Sequence, residues 1–116
     1  MQVTIYHNPK CAKSRETLQL LKERGIEPRV VEYLKTPPNK TELEHLLALL
    51  DMEPRALLRT KEPEYKQAGL ADPKLSRAAI VRAMLEHPKL IERPIVVVGK
   101  KAALGRPPES VLKILK

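Results

Sequence analysis

Val3 to Tyr6 is a short run of β-formers that ends at the turn-prone His7-Asn8-Pro9, and a helical stretch from about Ala12 follows, reaching Arg24 before Gly25 stops it. Arg29 to Tyr33, rich in Val, reads as a second strand, broken off by Thr36-Pro37-Pro38-Asn39. Strand, helix and strand this close together leave little freedom. They predict two parallel strands joined by a right-handed crossover, with the loop after the first strand opening directly onto a helix.

Beyond that unit the chain turns helical. Thr41 with Glu44 has the spacing of a capping box, and Leu43, Leu46, Leu47 and Leu50 then recur at helical spacing. Two short helical pieces are expected around Pro63 between Pro54 and Gly69. Ser76 can cap a further helix, with Ala79, Ile80, Ala83 and Met84 on one face, up to His87-Pro88. Ile95 to Val98 is a fully apolar strand, Gly99-Lys100 reads as a tight turn, Ala102 to Leu104 can pair back, and Ser110 to Leu115 is a last helix. The order is βαβ, helices, ββα. It matches an α/β, thioredoxin-like mixed four-stranded sheet, with a helical insertion at about 40–87 between the two halves. With 116 residues and 42% hydrophobic content, residues 1–116 are expected to form a single domain. In folds of this kind the proline before the third strand is commonly cis, which makes Arg93-Pro94 a candidate.

Several function classes drop out on composition. The longest apolar run, Ile95 to Val98, is far short of a bilayer span, and no basic-then-apolar signal pattern opens the chain, so a soluble cytoplasmic protein without membrane association is expected. One cysteine excludes an intrachain disulfide or a thiolate-rich metal cage, and redox chemistry would need a thiol from outside. Twenty-two Lys and Arg against fourteen Asp and Glu give a net charge of +8, which favours an anionic partner. Nucleic acid is disfavoured: acids are interspersed with the basic residues, and there is no Phe or Trp and only three Tyr for stacking.

Cys11 stands where the loop meets the first helical turn, and there unpaired backbone N–H groups and the positive helix end favour an anion. A thiol of pKa ~8.5 is only about 3% ionised at neutral pH; lowering that pKa to ~6.5 makes it about three-quarters ionised. The shift corresponds to ~2.7 kcal/mol, more than the ~2 kcal/mol a helix terminus supplies, so neighbouring cations must help. Lys10, Lys13, Arg15 and His7 are the nearest in sequence, and Ser14 takes the place of a resolving thiol in a Cys-x-x-Cys pattern. A lone cysteine can instead be a buried structural thiol. A polar strand-to-helix loop among cations suits reactivity better.

His7 reads equally as a charged neighbour of the thiolate or as a loop-capping ring bonded to backbone. His45 and His87 lack the partners of a metal site. Arg59, Arg93 and Arg106 each occupy a loop or element end. Arginines are usually solvated surface residues, but the chain before strand three and after strand four can approach the Cys11 loop in such a sheet. Planar guanidiniums hold tetrahedral oxyanions through paired donors.

Ile5-Tyr6-His7-Asn8-Pro9-Lys10-Cys11-Ala12-Lys13-Ser14-Arg15, Tyr33-Leu34-Lys35-Thr36-Pro37-Pro38, Arg55-Ala56-Leu57-Leu58-Arg59, Glu92-Arg93-Pro94-Ile95-Val96-Val97 and Gly105-Arg106-Pro107 occur in the order of the glutaredoxin-coupled arsenate reductase family, which the chain resembles over nearly its whole length. The resemblance implies reduction of arsenate to arsenite by a nucleophilic Cys11. Arg59, Arg93 and Arg106 would bind the oxyanion, His7 would favour the thiolate, Ser14 and Arg15 would be supporting contacts to thiolate or anion, and Asn8 and Pro94 would be further supporting residues. It also implies glutathione as co-substrate, glutaredoxin as the protein that regenerates Cys11, and no metal or bound cofactor. The chain differs in Ala12-Lys13, where some relatives carry small or hydroxyl residues, and in ending soon after its last helix. Two other readings remain open. One is a glutathione-dependent thiol oxidoreductase of the same fold; the other is a regulatory module like the Spx-type regulators that bind RNA polymerase.

Overall fold

The computed structural model describes residues 2–115, which divide into two compact units: one of residues up to Thr36 together with Arg93 onward, the other Pro37–Glu92. The first unit holds the sheet. Strands β1 (Val3–His7), β2 (Arg29–Glu32), β3 (Ile95–Val98) and β4 (Lys101–Leu104) are ordered β2-β1-β3-β4. β1 runs parallel to β2, with Ile5 opposite Val30, and antiparallel to β3, with Ile5 opposite Val96. β3 and β4 form an antiparallel hairpin whose turn has Gly99 at φ 58°, a conformation that favours glycine.

Side chains alternate along a strand, so Val3, Ile5 and His7 all face inward from β1. Val3 and Ile5 pack with Leu21, Val96, Val98 and Val111 in a fully apolar cluster. Helix α1 (Ala12–Glu23) supplies Leu21 to that cluster. The helix ends in a Schellman motif: Ile26 N–H donates to Leu21 O, Gly25 N–H to Lys22 O, and Gly25 takes φ 76°.

β1 runs one residue further than its sequence suggested. His7 pairs opposite Glu32 and continues the buried alternation instead of opening the turn. β2 stops one residue earlier, at Glu32. Lys35 N–H closes a turn on Glu32 O, and Tyr33 is buried. The expected last helix over Ser110 to Leu115 is instead a 3₁₀ helix over Pro108–Ile114. Its first position suits proline, which has no N–H to satisfy, and its bonds span three residues, as from Ser110 N–H to Pro107 O. Arg93-Pro94 is cis, as expected of the proline before the third strand, and Arg106-Pro107 is cis as well.

The second unit is helical: α2 (Lys40–Leu50), α3 (Pro54–Leu57), α4 (Pro63–Gln67) and α5 (Arg77–Glu86), closed by a 3₁₀ turn at Pro88–Leu90. The cap of α2 is not Thr41 with Glu44. Asn39 accepts from Glu42 N–H at 2.8 Å, and the Glu42 carboxylate accepts from Asn39 N–H, so the box starts two residues earlier, directly after Pro37-Pro38. Glu44 instead takes both terminal nitrogens of Arg77, at 2.7 and 2.8 Å. Leu43, Leu46 and Leu47 are buried, whereas Leu50 at the helix end is only partly so. Ser76 caps α5 by accepting from Ala79 N–H, and Ile80, Val81, Ala83 and Met84 form its buried face. Among the described residues, no helix is long and apolar enough to cross a membrane.

Candidate active site

The site is built where β1 hands over to α1. Asn8, buried just past the strand, ties the turn twice: its side-chain oxygen accepts from Lys10 N–H at 3.0 Å and its carbonyl from Cys11 N–H at 3.0 Å. Arg15 donates from Nη1 to Pro9 O at 3.0 Å and so fastens the same turn from the helix side. Cys11 is therefore held as the N-cap of α1, half-buried, in an extended backbone conformation.

Its sulfur stands where the first turn of α1 presents N–H groups that no helical carbonyl claims. Partial burial is the largest single influence on the thiol and works against ionisation. Hydrogen bonds from the Ser14 backbone N–H and the Arg93 side chain oppose it, with the Arg93 charge and the Lys13 backbone N–H adding to them. Together they hold the Cys11 pKa below that of an ordinary thiol. Arg106 adds a second guanidinium, its Nη1 lying 4.0 Å from Cys11 Sγ. The same Nη1 donates to Arg93 O at 3.1 Å, so one arginine's backbone aims the other's side chain.

Gly105 makes that approach possible. It donates to Pro94 O at 3.0 Å, and a Cβ placed on it would lie 2.8 Å from Pro94 Cγ and closer still to Thr17 Oγ1. Only a residue without a side chain lets the end of β4 lie against α1 and Pro94 while Arg106 turns toward the sulfur. Neither Gly105 nor Thr17 drew attention as a site residue in its own right. The available signal was a glycine immediately before one of the three singled-out arginines.

His7 is neither of the alternatives its sequence context offered. Burial lowers its pKa, outweighing the pull of Glu32, and Arg15 and Lys22 push the same way as burial, so the neutral ring is favoured over the cation. Its partner is a side chain instead of backbone: Nδ1 lies 2.6 Å from Ser14 Oγ. Asn8 N–H also donates to Ser14 Oγ, at 3.0 Å. With the ring neutral, all three groups are satisfied when Ser14 gives its proton to His7 Nδ1 and accepts from Asn8. Ser14, fully buried, is thus committed to the loop, while its own backbone N–H faces the sulfur.

Cys11, Ser14, His7, Asn8, Arg15, Arg93, Pro94 and Arg106 all belong to the first unit and converge on this loop. Arg59 belongs to the second unit. It follows the isolated bridge between Leu58 and Ile91, its N–H donates to Leu90 O at 2.7 Å, and its guanidinium is taken by Glu62 and Glu92. Those two carboxylates were not foreseen. The Arg59 to Glu62 spacing of three residues was a usable hint, but nothing local pointed to Glu92. Among the described residues, no group of three or more His, Cys, Asp or Glu could hold a metal ion.

A thiolate flanked by guanidiniums is equipped to attack an electrophile that carries negative charge, because the cations offset the repulsion between nucleophile and substrate. Comparison with known proteins identifies the relatives of this chain. Residues 6–114 match the model of the ArsC family. An arsenate reductase from Vibrio cholerae of known structure is 57% identical, superimposes with a TM-score of 0.96, and covers 99% of this chain and 98% of its own. The arsenate reductase of Neisseria meningitidis (serogroup A, strain Z2491) is 46% identical over 98% of both chains. The uncharacterized protein YfgD of Escherichia coli (strain K12) is 57% identical over 98% of this chain and 97% of its own. The sheet with its helical insertion, the cysteine at the strand-to-helix joint and these full-length likenesses lead to one assignment: the chain belongs to the ArsC family.

Proposed function

We infer that this protein is an arsenate reductase that works with glutathione and glutaredoxin. The observation that carries the reading is the Cys11 sulfur at the start of α1, held toward its thiolate by Ser14 N–H and Arg93, with Arg106 Nη1 at 4.0 Å. The Cys11 thiolate attacks arsenic, an As–O bond breaks, and the oxygen leaves as water after protonation, giving a thiol-arsenate adduct. A glutathione thiolate then attacks the Cys11 sulfur. The S–As bond breaks with its electron pair left on arsenic, which departs as arsenite. Two thiols have then supplied two electrons, and Cys11 is left in a mixed disulfide with glutathione. Glutaredoxin takes over that glutathione and restores the thiol.

Arg93 and Arg106 would grip the oxyanion through paired N–H donors, and Arg59 would add a third guanidinium, as the family resemblance implies. A single cysteine supports dependence on an outside thiol, since this chain has no second thiol to resolve the first. Chemistry that uses the glutathione pool suits the reducing cytoplasm.

The test is an arsenite-release assay with arsenate, glutathione and glutaredoxin. The wild-type protein turns over and Cys11→Ser does not. No arsenite from the wild type, or normal turnover by the serine variant, removes the proposal. Activity on glutathione mixed disulfides alone would favour the thiol oxidoreductase instead, and capture of RNA polymerase without turnover the regulator.

A further inference from the structure

A guanidinium can grip two oxygens along either of two planar edges, Nε with Nη2 or Nη1 with Nη2. In Arg59 each edge has one nitrogen engaged by a carboxylate. Nε donates to Glu62 Oε2 at 3.2 Å, and Nη1 donates to Glu92 Oε1 at 2.5 Å. An incoming oxyanion can therefore take neither edge without displacing a carboxylate, and the three side chains together carry a net negative charge. Solvent can reach the exchange: the side chains of Arg59 and Glu92 keep 20% and 24% exposure.

The backbone delivers these groups to each other without help from the ion pair. Arg59 N–H donates to Leu90 O at 2.7 Å, Glu92 N–H to Leu57 O at 2.9 Å, and Leu58 bridges Ile91 between them. The carboxylate is thus placed by the pairing of two chain segments, so its removal should leave that placement intact.

We propose that Glu92 is a specificity-determining residue that competes with the substrate oxyanion for Arg59. Displacing the carboxylate costs every anion the same, and its charge repels a doubly charged tetrahedral anion more than a singly charged one, so Glu92 weakens binding of all anions and of doubly charged ones most. The inference rests on Arg59 being an oxyanion ligand, as proposed above.

The experiment is calorimetric titration of the full-length chain with arsenate and, separately, with formate, in a Cys11→Ser background so that binding is read without chemistry. Glu92→Gln is expected to bind arsenate about tenfold more tightly, as removal of one charge-assisted competitor implies. Its preference for arsenate over formate should widen. Adding Arg59→Ala to Glu92→Gln should cancel the gain. Should Glu92→Gln fail to fold, Glu62→Gln, which opens the Nε edge, carries the same expectation. If Glu92 serves only to brace the fold, the folded variant melts earlier and its arsenate affinity does not rise. That result overturns the inference even where the wild type reduces arsenate. Conversely, a wild type that reduces no arsenate removes the proposed activity, while the titrations still decide the role of Glu92.

Discussion

At the scale of single residues, the site is organised around one ionisation. The thiolate of Cys11 is favoured in the folded protein by hydrogen bonds and the Arg93 charge, despite partial burial. An acid whose folded pKa is depressed gains stability that is fully present above the unfolded thiol's pKa of about 8.5 and is lost as pH falls through the lower folded value. The same shift sets reactivity, because the thiolate is the nucleophile. The rate of Cys11 alkylation by iodoacetamide is therefore expected to rise through an inflection below the ordinary thiol range, and Arg93→Ala should move that inflection upward. Stopped-flow or mass-spectrometric rates across pH read both, and an inflection at the ordinary thiol value in the wild type would contradict the geometry. Cys11 and its cationic neighbourhood were legible because a strand, a proline turn and a helix start follow one another in sequence. The lowered pKa of His7 was not, because it comes chiefly from burial, and a histidine among basic residues looks the same in sequence whether buried or exposed. The clamp on Arg59 was hidden for another reason, since Glu92 lies 33 residues away.

Elements were predicted well where periodicity and punctuation agree, and less well where two local signals compete. Thr41 with Glu44 and Asn39 with Glu42 are both plausible capping boxes at identical spacing. The asparagine wins because the helix begins as soon as Pro37-Pro38 release the chain, and its side chain meets Glu42 N–H at 2.8 Å. Thr41 is then an ordinary exposed residue of the first turn. Asn39→Ala is expected to cost about 1 kcal/mol of stability, while Thr41→Ala changes it by no more than a few tenths. Urea denaturation of the two variants checks this, and the reverse order would restore the cap to Thr41. The C-terminal 3₁₀ helix illustrates a different limit. Hydrophobic spacing over six or seven residues marks a helix but does not separate bonds spanning three residues from bonds spanning four. What did carry through was the apolar strand Ile95–Val98, whose ends are set by Pro94 before it and Gly99 after it.

Over the whole molecule, the order of elements was readable because each half of the sheet is contiguous in sequence, and the helical stretch between them opens and closes at prolines. Charge at this scale also has a measurable consequence. The net charge is +8, and the residues flanking the nucleophile in sequence, Lys10, Lys13 and Arg15, are all exposed, as is Arg106. Lys13 is partly answered by Glu16 at 3.6 Å, an exposed pair that water and salt weaken readily. An anion approaching Cys11 therefore moves down a favourable potential, whose reach shrinks from about 30 Å at 0.01 M salt to about 3 Å at 1 M. A neutral reagent of the same size gains nothing from it. Alkylation of Cys11 by iodoacetate should accordingly slow several-fold over that salt range, while alkylation by iodoacetamide stays nearly constant, and Lys10→Gln with Lys13→Gln should flatten the iodoacetate slope. Equal salt dependence for the two reagents would mean that the basic excess acts elsewhere on the surface. A steep slope that survives both substitutions would assign the steering to Arg15, Arg106 and the field of the protein as a whole.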